Sequence, residues 1–273
     1  MQSIRVAAEA GGGMLDADTI LSTGSYRAAL HAAGGACAMV DELLAGDAPF
    51  GFCAMRPPGH HAERATAMGF CLFNNVAIAA QHAIERGAER VLVLDWDVHH
   101  GNGTNDIFHS RSDVLFASIH QSPLYPGTGA LHDTGSGAGE GFSLNLPVPP
   151  GSGGDTFLSL VQHVVAPAAR AFGPRLILVS AGYDAHREDP LANCELDDGS
   201  YAALAAAVRE LGGELSAPVG VVLEGGYALG ALARSVAATI EALGGDAEAP
   251  AVEPDAVTGR AVEHLSRWWP LAA

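Results

Sequence analysis

A chain of 273 residues with 48% hydrophobic content has the apolar material for one large α/β domain or two small ones, and one is favoured. Its 14 Lys and Arg stand against 31 Asp and Glu, a net charge of −17 without any basic run, which excludes nucleic acid and anionic membrane surfaces as electrostatic partners. Cys37, Cys53, Cys71 and Cys194 are widely spaced with no C-x-x-C pair. That pattern argues against a disulfide scaffold or a thiolate zinc knuckle and fits a reducing cytoplasm.

Met1 to Gly13 lacks a basic segment followed by a long apolar one, and no uninterrupted apolar run approaches the ~18 residues of a membrane span. From Gly24, residues Tyr26, Leu30, Ala33, Cys37, Val40, Leu43 and Leu44 recur at helical spacing, and Gly46 to Pro49 ends that helix before an extended Phe50 to Met55. A helix over about 73–86 and strands over 90–95, 114–119 and 142–147 follow. Next come a helix near 155–172, a strand over 176–180, a helix near 198–211, a strand over 219–223 and a helix near 229–243. This rhythm predicts an α/β fold, a mostly parallel sheet with helices on both faces. Residues 245–259, rich in Ala, Glu and Pro, read as a loose connector, and 260–270 as a short helix stapled to the body by Trp268 and Trp269. The span 1–273 then forms one domain without internal repeats.

In open parallel sheets ligands sit beyond the carboxyl ends of the strands, so the residues there are the site candidates. Val91 to Gly103 is the richest stretch, an apolar strand that turns abruptly into carboxylates and imidazoles. The period of two in a strand puts Asp95, Asp97 and His99 on one side of the chain, where an aspartate and a histidine converge on one cation. Carboxylates buried there without partners lose hydration, and a metal is one remedy. Other strand ends carry Arg56 to His61, His120, Ser180 to Asp184 with His186, and Glu224 to Tyr227.

Asp97, His99 and Asp184 offer one divalent cation three protein ligands and leave a position for water, as catalytic zinc sites do; Fe(II), Mn(II) and Co(II) also suit such donors. Any one of these residues alone reads equally well as a cap on a loop at the sheet edge, and only their joint placement favours a metal. His60 and His61 follow a stiff Pro-Pro-Gly turn that presents them together as base and acid, whereas His100 points away from His99 and reads as structural. Tyr227, after two glycines, is either an ordinary loop tyrosine or a phenol that donates to a polarised carbonyl. Phe70 and Tyr125 read as channel walls or as core. Cys53 and Cys71 read as small buried residues, and the loop Gly135 to Gly141 lacks the lysine of a phosphate cradle.

Taken together, Arg56-Pro-Pro-Gly-His-His61, Ala67-Met-Gly-Phe-Cys-Leu-Phe-Asn-Asn75, Asp95-Trp-Asp-Val-His-His-Gly-Asn-Gly-Thr104, Tyr125-Pro-Gly-Thr-Gly129, Ser180-Ala-Gly-Tyr-Asp-Ala-His186, Asp189-Pro-Leu-Ala192 and Glu224-Gly-Gly-Tyr227 resemble the histone deacetylase family. The likeness is strongest to its class II-like branch of bacterial amidohydrolases and acetoin-utilisation proteins, and it runs from about Gly11 to Gly244. It implies an arginase/deacetylase-like fold and a metal-dependent amidohydrolase. The substrate it implies is an N-acetyl amide, as acetyl-lysine in a protein, an acetylpolyamine or another small N-acyl amine, cleaved to amine plus acetate. By the same likeness one Zn2+ per chain is held by Asp97, His99 and Asp184, with Fe2+ or Co2+ as substitutes. His60 and His61 become the tandem catalytic histidines, bonded to Asp95 and Asn102, and Tyr227 the donor to the substrate carbonyl. Gly69 offers its carbonyl to the substrate amide, Phe70 and Tyr125 wall the acyl tunnel with Leu191 nearby, and a structural K+ uses Asp95, Asp97, His99, Ser118 and Ile119.

Two departures from the family pattern stand out. Asn102 occupies a position where some members carry aspartate, which tunes the basicity of His61. The family's further amino-terminal segment, with its His-Pro-Glu rim loop, does not precede the match, so the expectation is an exposed sheet edge and a homo-oligomer. Two competing readings are a ureohydrolase-like binuclear manganese enzyme, suggested by Asp184-Ala-His186, and a non-catalytic protein that binds acyl ligands.

Overall fold

Six parallel strands form the centre of the computed structural model, which describes residues 1–271. In chain order, α1 (Gln2–Glu9) and an antiparallel ribbon of β1 (Gly13–Met14) and β2 (Ile20–Leu21) lead into α2 (Ser25–Ala45) and β3 (Phe50–Cys53). Then follow α3 (Asn75–Glu85), β4 (Val91–Asp95), α4 (Asn102–Phe108), β5 (Val114–Gln121) and β6 (Ser143–Val148). The remainder comprises α5 (Gly154–Leu160), α6 (Ala166–Phe172), β7 (Leu176–Ala181), α7 (Asp198–Leu215), β8 (Val219–Leu223), α8 (Leu229–Gly244) and α9 (Ala256–Leu265).

The sheet order is β3-β8-β7-β4-β5-β6, with every neighbouring pair parallel. β4 is the switch point: the chain next builds outward through β5 and β6, then returns to lay β7 against its other edge. Strand alternation divides the core. Leu92, Leu94 and Leu115 join α5, α6, α7 and α9 on one face, while Val91, Val93 and Phe116 meet α2 and α3 on the other. Burial on both faces explains why these strands read as continuous apolar runs.

Helix ends follow local chemistry. Gly46 closes α2 at φ 81°, and Asn74 and Asp197 cap α3 and α7 by accepting from Ala77 N and Ser200 N. α2 has the length and mean hydropathy (1.2) of a membrane span, but lies along α3 and β3 with Ala29, Ala36 and Val40 buried.

Several expected bounds shift. The helix expected over 155–172 is divided by a π-turn at Val161–Val165, just ahead of Pro167, whose missing N–H and ring do not fit a regular helical turn. Helix α7 runs on to Leu215. α1, whose Ile4 and Ala8 are buried at i,i+4 spacing, the β1–β2 ribbon and α4 are additions to the elements expected from the sequence. The expected connector is shorter than 245–259 and is not loose. Helix α9 starts at Ala256, where Asp255 accepts from Thr258 N at 2.8 Å, and ends at Leu265 rather than 270. Before it, Pro250 and Val252 are hydrogen-bonded to Gln162 and His163, and Ala247 to Arg209. Trp269 does staple this end down, donating to Gly141 O at 2.7 Å.

Candidate active site

The carboxyl ends of β4, β7 and β8 lie side by side and deliver Asp95, Ser180 and Glu224 to one place. β4 stops at Asp95, so Asp97 and His99 are not aligned by strand pleating as the sequence reading supposed. Their convergence is built by turns instead: Asp97 N donates to Asp95 Oδ1 (3.1 Å), and His99 N donates to Asp97 Oδ1 (2.9 Å).

Asp97, His99 and Asp184 each direct one ligand atom to a common point, with these atoms within 4.8 Å of one another. His99 Nδ1 lies 3.1 Å from both Asp97 Oδ1 and Asp184 Oδ2. The cradle has room because glycine flanks it: a Cβ on Gly182 or Gly225 would overlap an aspartate oxygen of the cluster. Asp95, Asp97, Asp184 and Glu224 are all buried. Burial raises Asp95 to about 6 against the pull of His60, and raises Asp184 to about 6 with help from the charge of Asp97. Burial also opposes ionisation of Asp97, but the imidazoles of His60 and His99 hold it well below the usual carboxylate range. Two aspartates and a histidine, buried and underfurnished with cations, fit a divalent metal of the zinc type.

Two differently supported histidines face this cluster. His60 Nδ1 meets Asp95 Oδ2 at 3.0 Å, and His61 Nδ1 meets Asn102 Oδ1 at 2.8 Å, with the two rings 4.0 Å apart. Burial works against the His60 imidazolium, yet Asp97 and Asp95 outweigh it and raise its pKa well above the ordinary value. Burial and the charge of His60 push His61 well below it. One environment thus separates two adjacent imidazoles into an acid-like and a base-like member.

His60, His61, Asp97 and His99 floor a cavity of about 250 Å³ that is also lined by Gly69, Phe70, Tyr125, Leu191 and Tyr227, all expected from the sequence, and by Asp18, Pro58 and Leu124, which were not. The Tyr125 ring stands at 89° to His61 with centroids 5.2 Å apart, and Phe70 meets Tyr227 edge-on at 5.8 Å. Phe70 holds φ 65°, unusual for a bulky residue, after Gly69 at φ 58°, where a Cβ would overlap the His61 ring. Burial, then the carboxylates of Asp184 and Asp97, raise the Tyr227 phenol above its ordinary pKa, which keeps it a hydrogen-bond donor.

Not every candidate joins the site. His100 turns away to bond Thr128 and pack at a tilt against His120, and His120 bonds Gly129 O. His186 Nε2 lies 3.2 Å from Asp198 Oδ1, away from the cluster. Ser118 pairs in register with Asp95, which makes these two of the expected potassium residues neighbours on adjacent strands, while Asp97 and His99 lie on the turns beyond β4. Glu224 is a participant that strand-end reasoning noted without assigning a role. Its Oε2 accepts from Gly59 N (2.6 Å) and His60 N (3.1 Å), so it holds the histidine loop.

Comparison with known proteins bears on the family and the fold. The profile of the histone deacetylase domain matches residues 2–243. Histone deacetylase 14, chloroplastic, of Arabidopsis thaliana is 46% identical over 84% of this chain, which spans 56% of that protein. The histone deacetylase-like amidohydrolase of Pseudomonas aeruginosa is 44% identical over 90% of the chain, which spans 65% of it. A crystal structure of the HDA15 HD domain superposes with a TM-score of 0.91 at 38% identity, covering 98% of this chain and 76% of that one. The fold is therefore the arginase/deacetylase fold, and a match of this length and closeness places the chain in the histone deacetylase family.

Proposed function

We propose that the chain is a zinc-dependent deacetylase that hydrolyses N-acetyl amides to amine plus acetate. The observation that carries this reading is the meeting, around one cavity, of the Asp97–His99–Asp184 cluster, the His60–Asp95 and His61–Asn102 pairs and Tyr227. The deacetylase and amidohydrolase names of relatives at 41–47% identity point the same way.

Asp97, His99 and Asp184 would hold the metal, which when bound supplies Lewis acidity to a carbonyl oxygen and lowers the pKa of a water. His61, oriented by the uncharged amide of Asn102, takes the proton of the attacking water. His60, whose Nδ1 faces the Asp95 carboxylate, is stabilised as imidazolium and passes a proton to the departing amine. Tyr227 donates its hydroxyl hydrogen to the oxyanion that forms from the carbonyl. Phe70 and Tyr125 confine the acyl-bearing chain and exclude water from the floor, while the Gly69 carbonyl is the acceptor for the amide N–H. A K+ at Asp95, Asp97, His99, Ser118 and Ile119 belongs to the same proposal. Acetyl-lysine peptides and acetylated polyamines both satisfy the chemistry of the cavity.

The test is hydrolysis of an acetyl-lysine amide by the zinc-reconstituted chain and its Tyr227→Phe variant, with metal content measured on the same samples. A loss of about 10² to 10³ in kcat at one metal per chain is expected. An inactive but metal-loaded wild type would overturn the reading in favour of acyl-ligand binding without catalysis. Two metals per chain would favour the ureohydrolase alternative, against which the contact of His186 with Asp198 already counts.

A further inference from the structure

One carboxylate outside the metal cluster ties together two walls of the cavity. Asp189, 7% exposed, lies in the loop between β7 and α7 and uses its two oxygens in different directions. Oδ1 accepts from Leu191 N at 3.0 Å, while Oδ2 accepts from Tyr227 N at 2.7 Å and Ala228 N at 3.1 Å. Among the described residues no arginine pairs with it, so three backbone N–H groups carry the stabilisation of its charge.

The segment it grips is well held at its start, where Tyr183 N donates to Gly225 O at 2.9 Å and Arg56 Nη1 to Glu224 O at 3.0 Å, but not beyond the glycines. Gly225 and Gly226 offer no side chains, and Gly226 holds φ 130°, so the course of the chain into Tyr227 depends on anchors at either end. Asp97 Oδ2 anchors Gly225 N at 2.9 Å, and Asp189 supplies the anchor on the far side. Leu191 stands on the opposite arm of the same carboxylate.

We infer that Asp189 is a positioning residue for the hydrolysis proposed above, and on that reading it sets the Tyr227 phenol over the cavity floor and keeps the Leu191 wall in register with it. The experiment is a kinetic cycle on the zinc-loaded full chain with wild type, Asp189→Ala, Tyr227→Phe and the double variant, using an acetyl-lysine amide. Hydrogen exchange at the amides of Leu191, Tyr227 and Ala228 is followed in parallel. Asp189→Ala lowers kcat by about tenfold to a hundredfold at unchanged metal content, yet costs less than about twofold when Tyr227 is already Phe, because the donor it places is gone. Asp189→Asn, which keeps one acceptor oxygen, falls between wild type and alanine and replaces it in the cycle should the alanine variant not fold. The same three amides exchange faster in the variants while those of β4 and β7 do not. Equal losses of kcat in both tyrosine backgrounds, or unchanged exchange at all three amides, would overturn the inference. A wild type without turnover would remove the functional reading, and exchange alone would then decide whether Asp189 holds the two walls.

Discussion

Glu224 is a carboxyl group with no exposed surface, so its replacement by glutamine tests how the tandem-histidine loop is held. Its Oε2 accepts from Gly59 N and His60 N, and the Ser180 hydroxyl reaches Oε1 at 3.2 Å. Burial, opposed by His60 and by the bond from Gly59, raises its pKa from 4.5 to about 7. An acid whose pKa is higher folded than unfolded binds its proton more tightly in the native state. Its stabilisation is complete below the unfolded value and is lost as pH climbs toward the folded one. The whole displacement corresponds to about 3 kcal/mol, of which about 2 kcal/mol is lost between about pH 5.5 and 8. Glutamine keeps an oxygen toward the two backbone donors and presents an amide that Ser180 accepts by turning its hydroxyl, but it does not titrate. In urea unfolding at fixed metal concentration, Glu224→Gln therefore gains about 2 kcal/mol relative to wild type across that interval. Parallel stability curves would refute the assigned burial cost. Glu224→Ala differs in kind, since it leaves two buried N–H groups unpaired at about 1–3 kcal/mol each.

Two further substitutions probe the cradle and the carboxyl-terminal staple. Gly225→Ala puts a Cβ into Asp184 Oδ2 and Asp97 Oδ2, so metal content should drop well below one per chain; full occupancy by elemental analysis would contradict the cradle geometry. Trp269→Ala removes the bond to Gly141 and the edge contacts with Phe142 (5.4 Å) and Phe172 (6.3 Å), costing about 3–5 kcal/mol in chemical denaturation. A cost under about 1 kcal/mol would mean that α9 and its tail add little to the core.

Much of the sheet was legible because its strands are apolar on both faces and end in polar residues. Val91 to Asp95 changes character within one residue, and that change marks the site. What could not be read depends on distant contacts. Glu224 serves a loop 165 residues earlier in the chain, and Asp189 serves Tyr227 38 residues later, so neither role leaves a local pattern. The short α4 starts in Asn-Gly-Thr-Asn, poor helix formers that tertiary packing overrides. The start of α9 was readable from Asp255 with Thr258 three residues on, but the Ala, Glu and Pro content around it masked the cap. Asp97 and His99 do meet, but turns and not the strand pleat bring them together.

A loop cap and a metal ligand are alternatives in sequence, but in this fold each of the two cluster aspartates is placed to be both. Asp184 accepts from Val98 N at 3.0 Å with Oδ1 and turns Oδ2 toward His99 and the centre of the cluster. Asp97 likewise accepts from His99 N with Oδ1 and from Gly225 N with Oδ2. The two duties separate by substitution. Asp184→Asn keeps an oxygen for Val98 but replaces the charged ligand with a neutral amide, so metal is lost while stability measured in chelator stays within about 1 kcal/mol of wild type. Asp184→Ala loses metal as well, and it orphans the buried Val98 N–H for a further cost of about 1–3 kcal/mol. Retention of one metal per chain by the asparagine variant would remove Asp184 from the ligand set. Equal stability of the two variants in chelator would instead show that Val98 finds another partner, and that the backbone bond is incidental to how the site is held.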